Sequence, residues 1–423
     1  MGLRLRTFTA LACLALVVQA GQGPARAETP LQAAIAKLTP EQQATLKAYQ
    51  KARADHEKAV DRYWMRIEAK QKVRKLKALK GKPIVGADYV KEHPPEYKGP
   101  ERPDAIYALL PKPPKPPVTE PKPVVPVVTD FLREAEAIYG FKPERIPEDD
   151  FMIAYAVEAV KLGLTKDQVV RVFALETGGM GTHDMQSGFN PKTGRAASTA
   201  LGYAQLLGAN TIEQIRKEGD DFIARLEEQA AQRGTSSSRA ERLKQKVASL
   251  RKMQADARRV PESWSAHVAY AKTPKGMAMH AINLDGDIGP WLQVTKLKSV
   301  KEYAAKRGMT QLTGGQLEMM NLAGPGRGFE MMTPVGRDMP TANFFERGGY
   351  ERNPVTANRT GAQLLARLDE IMDKNVQRPG SIRFAEIFDA ISKKRPEVLN
   401  RAREESSVWT DNPLTAIIDR LKP

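Results

Sequence analysis

Glu176 is the residue whose type and setting first suggest chemistry. It closes a short apolar run that begins at Val169 and is followed by Thr177, Gly178 and Gly179. Val169, Val172, Phe173 and Glu176 recur at i, i+3, i+4 and i+7, so a helix places all four on one face. Thr165 and Gln168 have the spacing of a capping box and mark its start; the glycines mark its end. An inward carboxyl at the negative end of a helix is disfavoured as the anion by desolvation and by the dipole, so its pKa is expected to rise. A carboxylic acid still protonated near neutrality is a general acid. On position alone the alternative is an ordinary solvent-facing glutamate at a frayed helix end.

Two later segments carry polar groups of the kind a ligand site uses. Gly202-Tyr203-Ala204-Gln205-Leu206 combines a glycine, a ring and an amide. Met320-Asn321-Leu322-Ala323-Gly324-Pro325-Gly326 places an amide just before a turn. Gly202 would permit close backbone approach, and Gln205 and Asn321 supply amide donors and acceptors. Tyr203 could stack on a ligand's face or bond Glu176. The plain alternatives are a polar helix face for Gln205, a cap for Asn321 and a simple turn for Gly-Pro-Gly. Asp184, in the loop after Glu176, is a further carboxylate that could hold a water, although loop aspartates are commonly turn residues.

The elements that must position these groups read as mainly α. No convincing alternating strand run occurs. Helices are expected over about 130–139, 149–162, 165–176, 316–321 and 357–372, with 280–297 returning to core character. Two charged helices, about 211–232 and 237–258, are joined by a Gly/Ser turn and read as an exposed helical hairpin, 211–260, inserted between the second and third motifs. Upstream, Thr39-Pro40 starts a long charged helix reaching about Leu79. Its end is very basic (Lys70, Lys72, Arg74, Lys75, Lys77, Lys80, Lys82) and could ride on anionic lipid or wall polymer, or simply be solvated. Proline dominates from Pro94 to Pro126, which reads as an extended spacer. The expected organisation is a signal peptide 1–27, a basic helical region 28–93, a Pro-rich linker 94–128, a globular domain 129–375 and a C-terminal helical tail 376–423 whose last helix falls near Leu414–Leu421.

The N-terminus resembles a secretory signal: Arg4 and Arg6, an apolar run Leu11–Val18, then Ala25-Arg26-Ala27. Cys13, the single cysteine, lies inside it, in a poor setting for lipid attachment. A periplasmic protein without disulfide or thiolate chemistry is expected, an uncleaved N-terminal anchor being the alternative. The formal charge is +16, of which the signal holds three, leaving +13. Such a surplus suits a polyanionic partner, and export argues against nucleic acid. No metal or cofactor is expected. His183, His267 and His280 lack ligand spacing, Gly324–Gly328 lacks the Lys-Ser/Thr of a phosphate loop, and Asp285-Gly286-Asp287 reads as a turn because Ile288 breaks a calcium pattern.

Taken in order, Glu-Thr-Gly at 176–178, the Gly-Tyr-Ala-Gln segment and the Asn-Leu-Ala-Gly-Pro-Gly segment resemble the lytic transglycosylases of the soluble, goose-lysozyme-like class. That family carries Glu-Ser, then Gly-Leu-Met-Gln, then Ala-Tyr-Asn-Ala-Gly-Pro-Gly. The resemblance covers roughly 130–375. It implies a lysozyme-like domain that cleaves the MurNAc–GlcNAc bond of peptidoglycan strands without a cofactor. Glu176 would be the single acid/base, and Gly202, Tyr203, Gln205, Asn321 and Tyr350 would bind substrate. Ala204 replaces the family's methionine, and both gaps between motifs are long. Met320 stands where the family has the tyrosine that contacts the acid, so Tyr203 or Tyr350 is expected to replace it. The rival expectation is a non-catalytic wall-binding or envelope-scaffold protein, with envelope proteins met through the N-terminal region.

Overall fold

Thr39 accepts from the backbone of Gln42, whose side chain caps Thr39 in return, and Pro40 takes the first helical position. From there a helix of 40 residues, α2 (Pro40–Leu79), runs without a break. It is the longest element of the computed structural model, which describes residues 29–111 and 124–393. The signal-like leader, the Lys112–Pro117 and Lys122-Pro123 runs and the Leu414–Leu421 segment lie outside the described residues. Those residues form sixteen α-helices and no strands, with only isolated bridges such as Leu201 to Leu206. The protein is mainly α. No helix among them is long and apolar enough to cross a membrane. The chain divides into two units.

The first unit comprises residues up to 121 and the return segment 346–358. The short helices α1 (Pro30–Ala36) and α3 (Asp104–Tyr107) belong to it, as does α14 (Arg347–Arg352). Tyr63, Trp64, Ile67 and Arg74 form the buried face of α2. The segment after the helix folds back along that face. Lys70 Nζ donates to the Ala87 carbonyl (2.6 Å), Lys77 pairs with Asp88 (2.7 Å), and Tyr63 Oη donates to the Glu92 carbonyl (3.1 Å). The first half of the expected spacer is therefore not extended away. Tyr97 sets its ring edge-on to Tyr49 and His56, and Ile106 joins Leu38 and Leu46 in a small cluster. Prolines here remove backbone donors and straighten the chain, but the interspersed tyrosines still find apolar surface on α2.

The second unit, 122–345 with 359–423, has one core. Its helices are α4 (Val128–Tyr139), α5 (Glu148–Lys161), α6 (Lys166–Glu176), α7 (Gly208–Ala231), α8 (Ser237–Arg259), α9 (Trp264–Tyr270), α10 (Pro274–His280), α11 (Ile288–Ala305), α12 (Gly314–Ala323), α13 (Pro325–Met332), α15 (Gly361–Asn375) and α16 (Pro379–Lys393). Two are apolar on nearly every side and so lie inside: α5 buries Phe151 to Ala159, and α11 buries Ile288 to Leu297. Against α6 pack α12, α15 and α16. Phe384, Ile387 and Phe388 of α16 enter the core, so this helix belongs to the globular unit and not to a separate tail.

The hairpin forms, but it is not an exposed insertion. Ile215, Phe222, Leu226, Leu250 and Met253 are wholly buried within the common core. Its charges misled because several are buried in pairs. Arg225 meets Glu158 of α5 through both terminal guanidinium nitrogens (2.9 and 2.5 Å) and lies over the Trp291 ring. Lys246 reaches Asp287 (2.6 Å), Asp285 (2.8 Å) and Glu144 (3.2 Å), and Arg239 reaches Glu144 and Asp287. Asp285-Gly286-Asp287 is a turn: Asp285 Oδ1 accepts from the backbone of Asp287 and Ile288 at the head of α11.

Candidate active site

Thr165 and Gln168 cap α6 reciprocally, and Gln168 Nε2 also donates to the Leu312 carbonyl (2.7 Å) just before α12. The start of α12 then lies directly on α6. The Gly314 backbone donates to Asp167 (2.6 Å), and a Cβ at 314 would come within 2.7 Å of the Asp167 carbonyl. A Cβ at 315 would come within 2.3 Å of the Asp369 carboxylate, which Arg171 of α6 holds at 2.7 Å. Glycines are needed at this close approach. Together these contacts fix the facing sides of α6 and α12.

What they bring together is a carboxyl pair. Glu318 of α12 is fully buried, and its carboxyl lies against that of Glu176, close enough for the two to share a proton. Glu176 as a residue remains partly exposed, yet protein surrounds its carboxyl closely enough that desolvation raises its pKa to about 7. Glu318 is pushed up further, first by burial and then by the neighbouring Glu176 charge. Two carboxyls set against each other in a desolvated site cannot both ionise, and they share a proton. The deeper Glu318 holds it more tightly and donates to Glu176, which partly offsets the rise at Glu176. Asn321 Nδ2 donates to Glu318 Oε2 at a long 3.4 Å.

The end of α6 is held from behind. Asn375 Nδ2 donates to the Ala174 carbonyl (3.0 Å), Thr177 Oγ1 to Phe173 (2.7 Å) and Arg378 to Gly178 (3.1 Å). Gly178 and Gly179 both have positive φ, and a Cβ at 179 would lie 2.4 Å from the Asn375 carbonyl.

The other expected site residues are placed differently. Tyr203 is buried amid Phe151, Tyr155, Phe173 and Phe384, and its hydroxyl donates to Glu148. Glu148 also accepts from the His183 backbone and meets His183 Nδ1 (2.7 Å). The ring is therefore packed in the core, and its polar end serves Glu148 instead of Glu176. Gly202 does make room for a close approach, but the group that uses it is Gln293, whose amide would lie 2.3 Å from a Cβ there. Gln205 adopts φ 41°, rare for a side-chain-bearing residue; its amide donates to the carbonyls of Gly202 (2.8 Å) and Met185 (3.2 Å). Tyr350 belongs to the first unit, where its ring meets Trp64 edge-on at 5.4 Å and its hydroxyl accepts from the Asn358 backbone. Asp184 accepts from Thr182 (2.5 Å) and pairs with Arg145. Met320 is fully buried beneath α13.

Of the expected set, only Glu176 and Asn321 approach the carboxyl pair, and Glu318 joins them unforeseen. The signal for it was present: Glu318 is the one charged residue between Gly314 and Ala323, amid Leu317, Met319 and Met320. A cavity of about 580 Å³ adjoins the loop after Glu176, lined by Val127, Val128, Met180, Thr182, Asp184 and Phe189. Among the described residues no group of three or more His, Cys, Asp or Glu could hold a metal ion.

No protein-family model, curated protein or solved structure matches the chain.

Proposed function

We propose that the chain is an exported peptidoglycan lytic transglycosylase whose second unit is a lysozyme-like domain. The observation that carries this reading is the Glu176–Glu318 pair: a desolvated carboxyl on a partly exposed residue, with a pKa raised to about 7, backed by a fully buried one that keeps its proton. Protonated Glu176 donates to the glycosidic oxygen between MurNAc and GlcNAc as the ring becomes oxocarbenium-like. The resulting carboxylate takes the proton of the MurNAc 6-hydroxyl. That oxygen attacks C1 and closes a 1,6-anhydro ring, so the bond is cut without consuming water and Glu176 ends protonated again.

Glu318 supports this one-carboxylate scheme over hydrolysis. Hydrolysis by inversion needs two carboxyls about 6.5–9.5 Å apart with sugar and water between them, and retention needs about 5–5.5 Å. A partner lying directly against Glu176 leaves no such space; it positions the acid instead. Asn321, partly exposed beside the pair, has a second amide edge for an N-acetyl group or hydroxyl. The periplasmic location rests on the signal-like leader, and the basic surplus favours carboxylated peptide stems. Digestion of purified sacculi by the wild type and Glu176→Gln tests the reading. Anhydro-ended muropeptides from the wild type alone are expected. Equal release from both proteins would leave a non-catalytic wall-binding or scaffold role, and hydrated ends would indicate hydrolysis.

A further inference from the structure

The carboxyl pair leaves the basic end of α2 without a role. Between Arg66 and Lys82 the chain has eight cations and one acid, Glu68. The structure separates these cations into two sets. Arg74 donates to the Asp88 carbonyl and stacks on Tyr89, while Lys70 and Lys77 hold Ala87 and Asp88. These contacts, with buried Tyr63, Trp64 and Ile67, commit one face of the helix to its own unit.

The opposite face exposes large apolar side chains. Leu76 is 57% exposed, Leu79 74% and Met65 60%, with Val73 beside them at 42%. At 3.6 residues per turn these four fall within about a third of the helix circumference and span roughly 20 Å. Lys72 and the capping Lys80 lie within the same arc, Lys75 flanks it on the Leu79 side, and Lys82 follows the helix. These four lysines form no ion pair among the described residues.

We infer that this face of α2 docks on an anionic lipid bilayer. Leucines and methionine on such a face enter the boundary between headgroups and acyl chains, while the lysines extend along it to anionic headgroups. Each juxtamembrane cation adds to the attraction, which salt screens. A wall polymer would engage the lysines but has no use for an exposed apolar stripe, so the leucines favour lipid. The inward-facing contacts keep the stripe from rolling against its own unit. The role is one of attachment and does not depend on the glycan reading.

The test is co-sedimentation with phosphatidylcholine vesicles, with and without phosphatidylglycerol, using the form beginning at Glu28 that export would leave. Binding is expected only with the anionic lipid and weakens with salt. Leu76→Gln/Leu79→Gln and Lys72→Gln/Lys75→Gln/Lys80→Gln/Lys82→Gln retain helix propensity. Each should lower partitioning at least about tenfold, with circular dichroism and melting unchanged; the single Leu79→Gln serves if the double variant melts early. Equal binding to neutral vesicles overturns the inference. So does anionic binding that the leucine variants leave intact, or retention by sacculi alone. Vesicles contain no glycan, so failure here leaves the muropeptide assay untouched, and the converse holds.

Discussion

Glu318, wholly buried on α12, sets its carboxyl against that of Glu176, a partly exposed residue at the end of α6. A glutamine at 318 can still donate to Glu176, whereas a leucine cannot. Glu318→Gln is therefore expected to keep most of the muropeptide release. Glu318→Leu removes a hydrogen bond to a charged group, worth about 1.5–3 kcal/mol. Its kcat should fall roughly 10- to 100-fold, with KM changed little. The sharper readout is the pH profile: without the donor, the Glu176 carboxylate is less stabilised and the alkaline limb moves upward. A fall in kcat with an unmoved limb would show that Glu318 only supports the fold.

The wild-type pH profile is itself a prediction. Desolvation raises Glu176 to about 7, so the acid form dominates below that pH and is lost above it. Cleavage should fall on the alkaline side with a midpoint near 7 and a slope approaching tenfold per pH unit. Rates measured on solubilised glycan strands, with binding saturated, check this. A midpoint near the ordinary glutamate value would mean that the carboxyl is solvated and the acid role is misassigned.

Much of the α6 end was legible because it rests on local rules: the Thr165–Gln168 cap, the apolar i, i+3, i+4 face and the two terminating glycines. The mainly α class followed likewise from periodicity. Partners were harder to read. Tyr203 and Gly202 stand in a motif-like segment, but which group meets them depends on Glu148 and Gln293, 55 and 91 residues away. A tyrosine pattern shows that a ring is wanted, not whether its hydroxyl turns to a sugar or to another helix. The hairpin failed for a related reason. Arg225, Arg239 and Lys246 look solvent-facing in sequence, since isolated charges stay outside; only the tertiary arrangement supplies Glu158, Asp285 and Asp287 to pair with them.

The carboxyl pair should also tie stability to pH. The folded-state pKa of Glu176 lies above its unfolded value, so its contribution is fully present below about 4.5 and is lost as pH rises through about 7. Ionised Glu176 then sits beside Glu318 in a desolvated site. Glu176→Gln cannot ionise. The variant should melt close to the wild type at pH 4 and several degrees above it at pH 8, where about 1 kcal/mol corresponds to roughly 2–4 °C for a unit of this size. Thermal denaturation across that range checks the crossing. A constant difference at all pH values would remove the electrostatic account.

His280 provides an independent acid-side test. It is fully buried, its ring edge-on to Phe131, with Nε2 donating to the Thr199 carbonyl (2.8 Å). Nδ1 accepts from Thr211 and Asn283 (2.9 and 3.1 Å), which defines the neutral tautomer. Burial lowers its pKa to about 4. Here the folded value is the depressed one, so the stabilisation is complete above about 6.5 and is lost as pH falls toward 4. The loss is on the order of 3 kcal/mol. Urea denaturation should show it between those pH values, and His280→Asn should flatten this part of the slope at a constant stability cost.

Lys246 tests whether the hairpin belongs to the core. Its ammonium is nearly buried and meets Glu144, Asp285 and Asp287, while Arg239 covers only part of the same acidic set. The attraction holds Asp287 well below the usual carboxylate range, whereas burial raises Asp285. Lys246→Met keeps the apolar stem and removes the charge, leaving buried carboxylate unneutralised. Breaking such a cluster from one side costs about 3–5 kcal/mol, far more than loss of an exposed pair at about 0–1 kcal/mol. Because α8 shares its apolar core with α5 and α11, the loss should appear as a shift of the main unfolding transition of the second unit. Circular dichroism and Trp291 fluorescence are expected to move together. An early, separate melting of α7 and α8 with the remaining transition unchanged would return the hairpin to the status of an appended element.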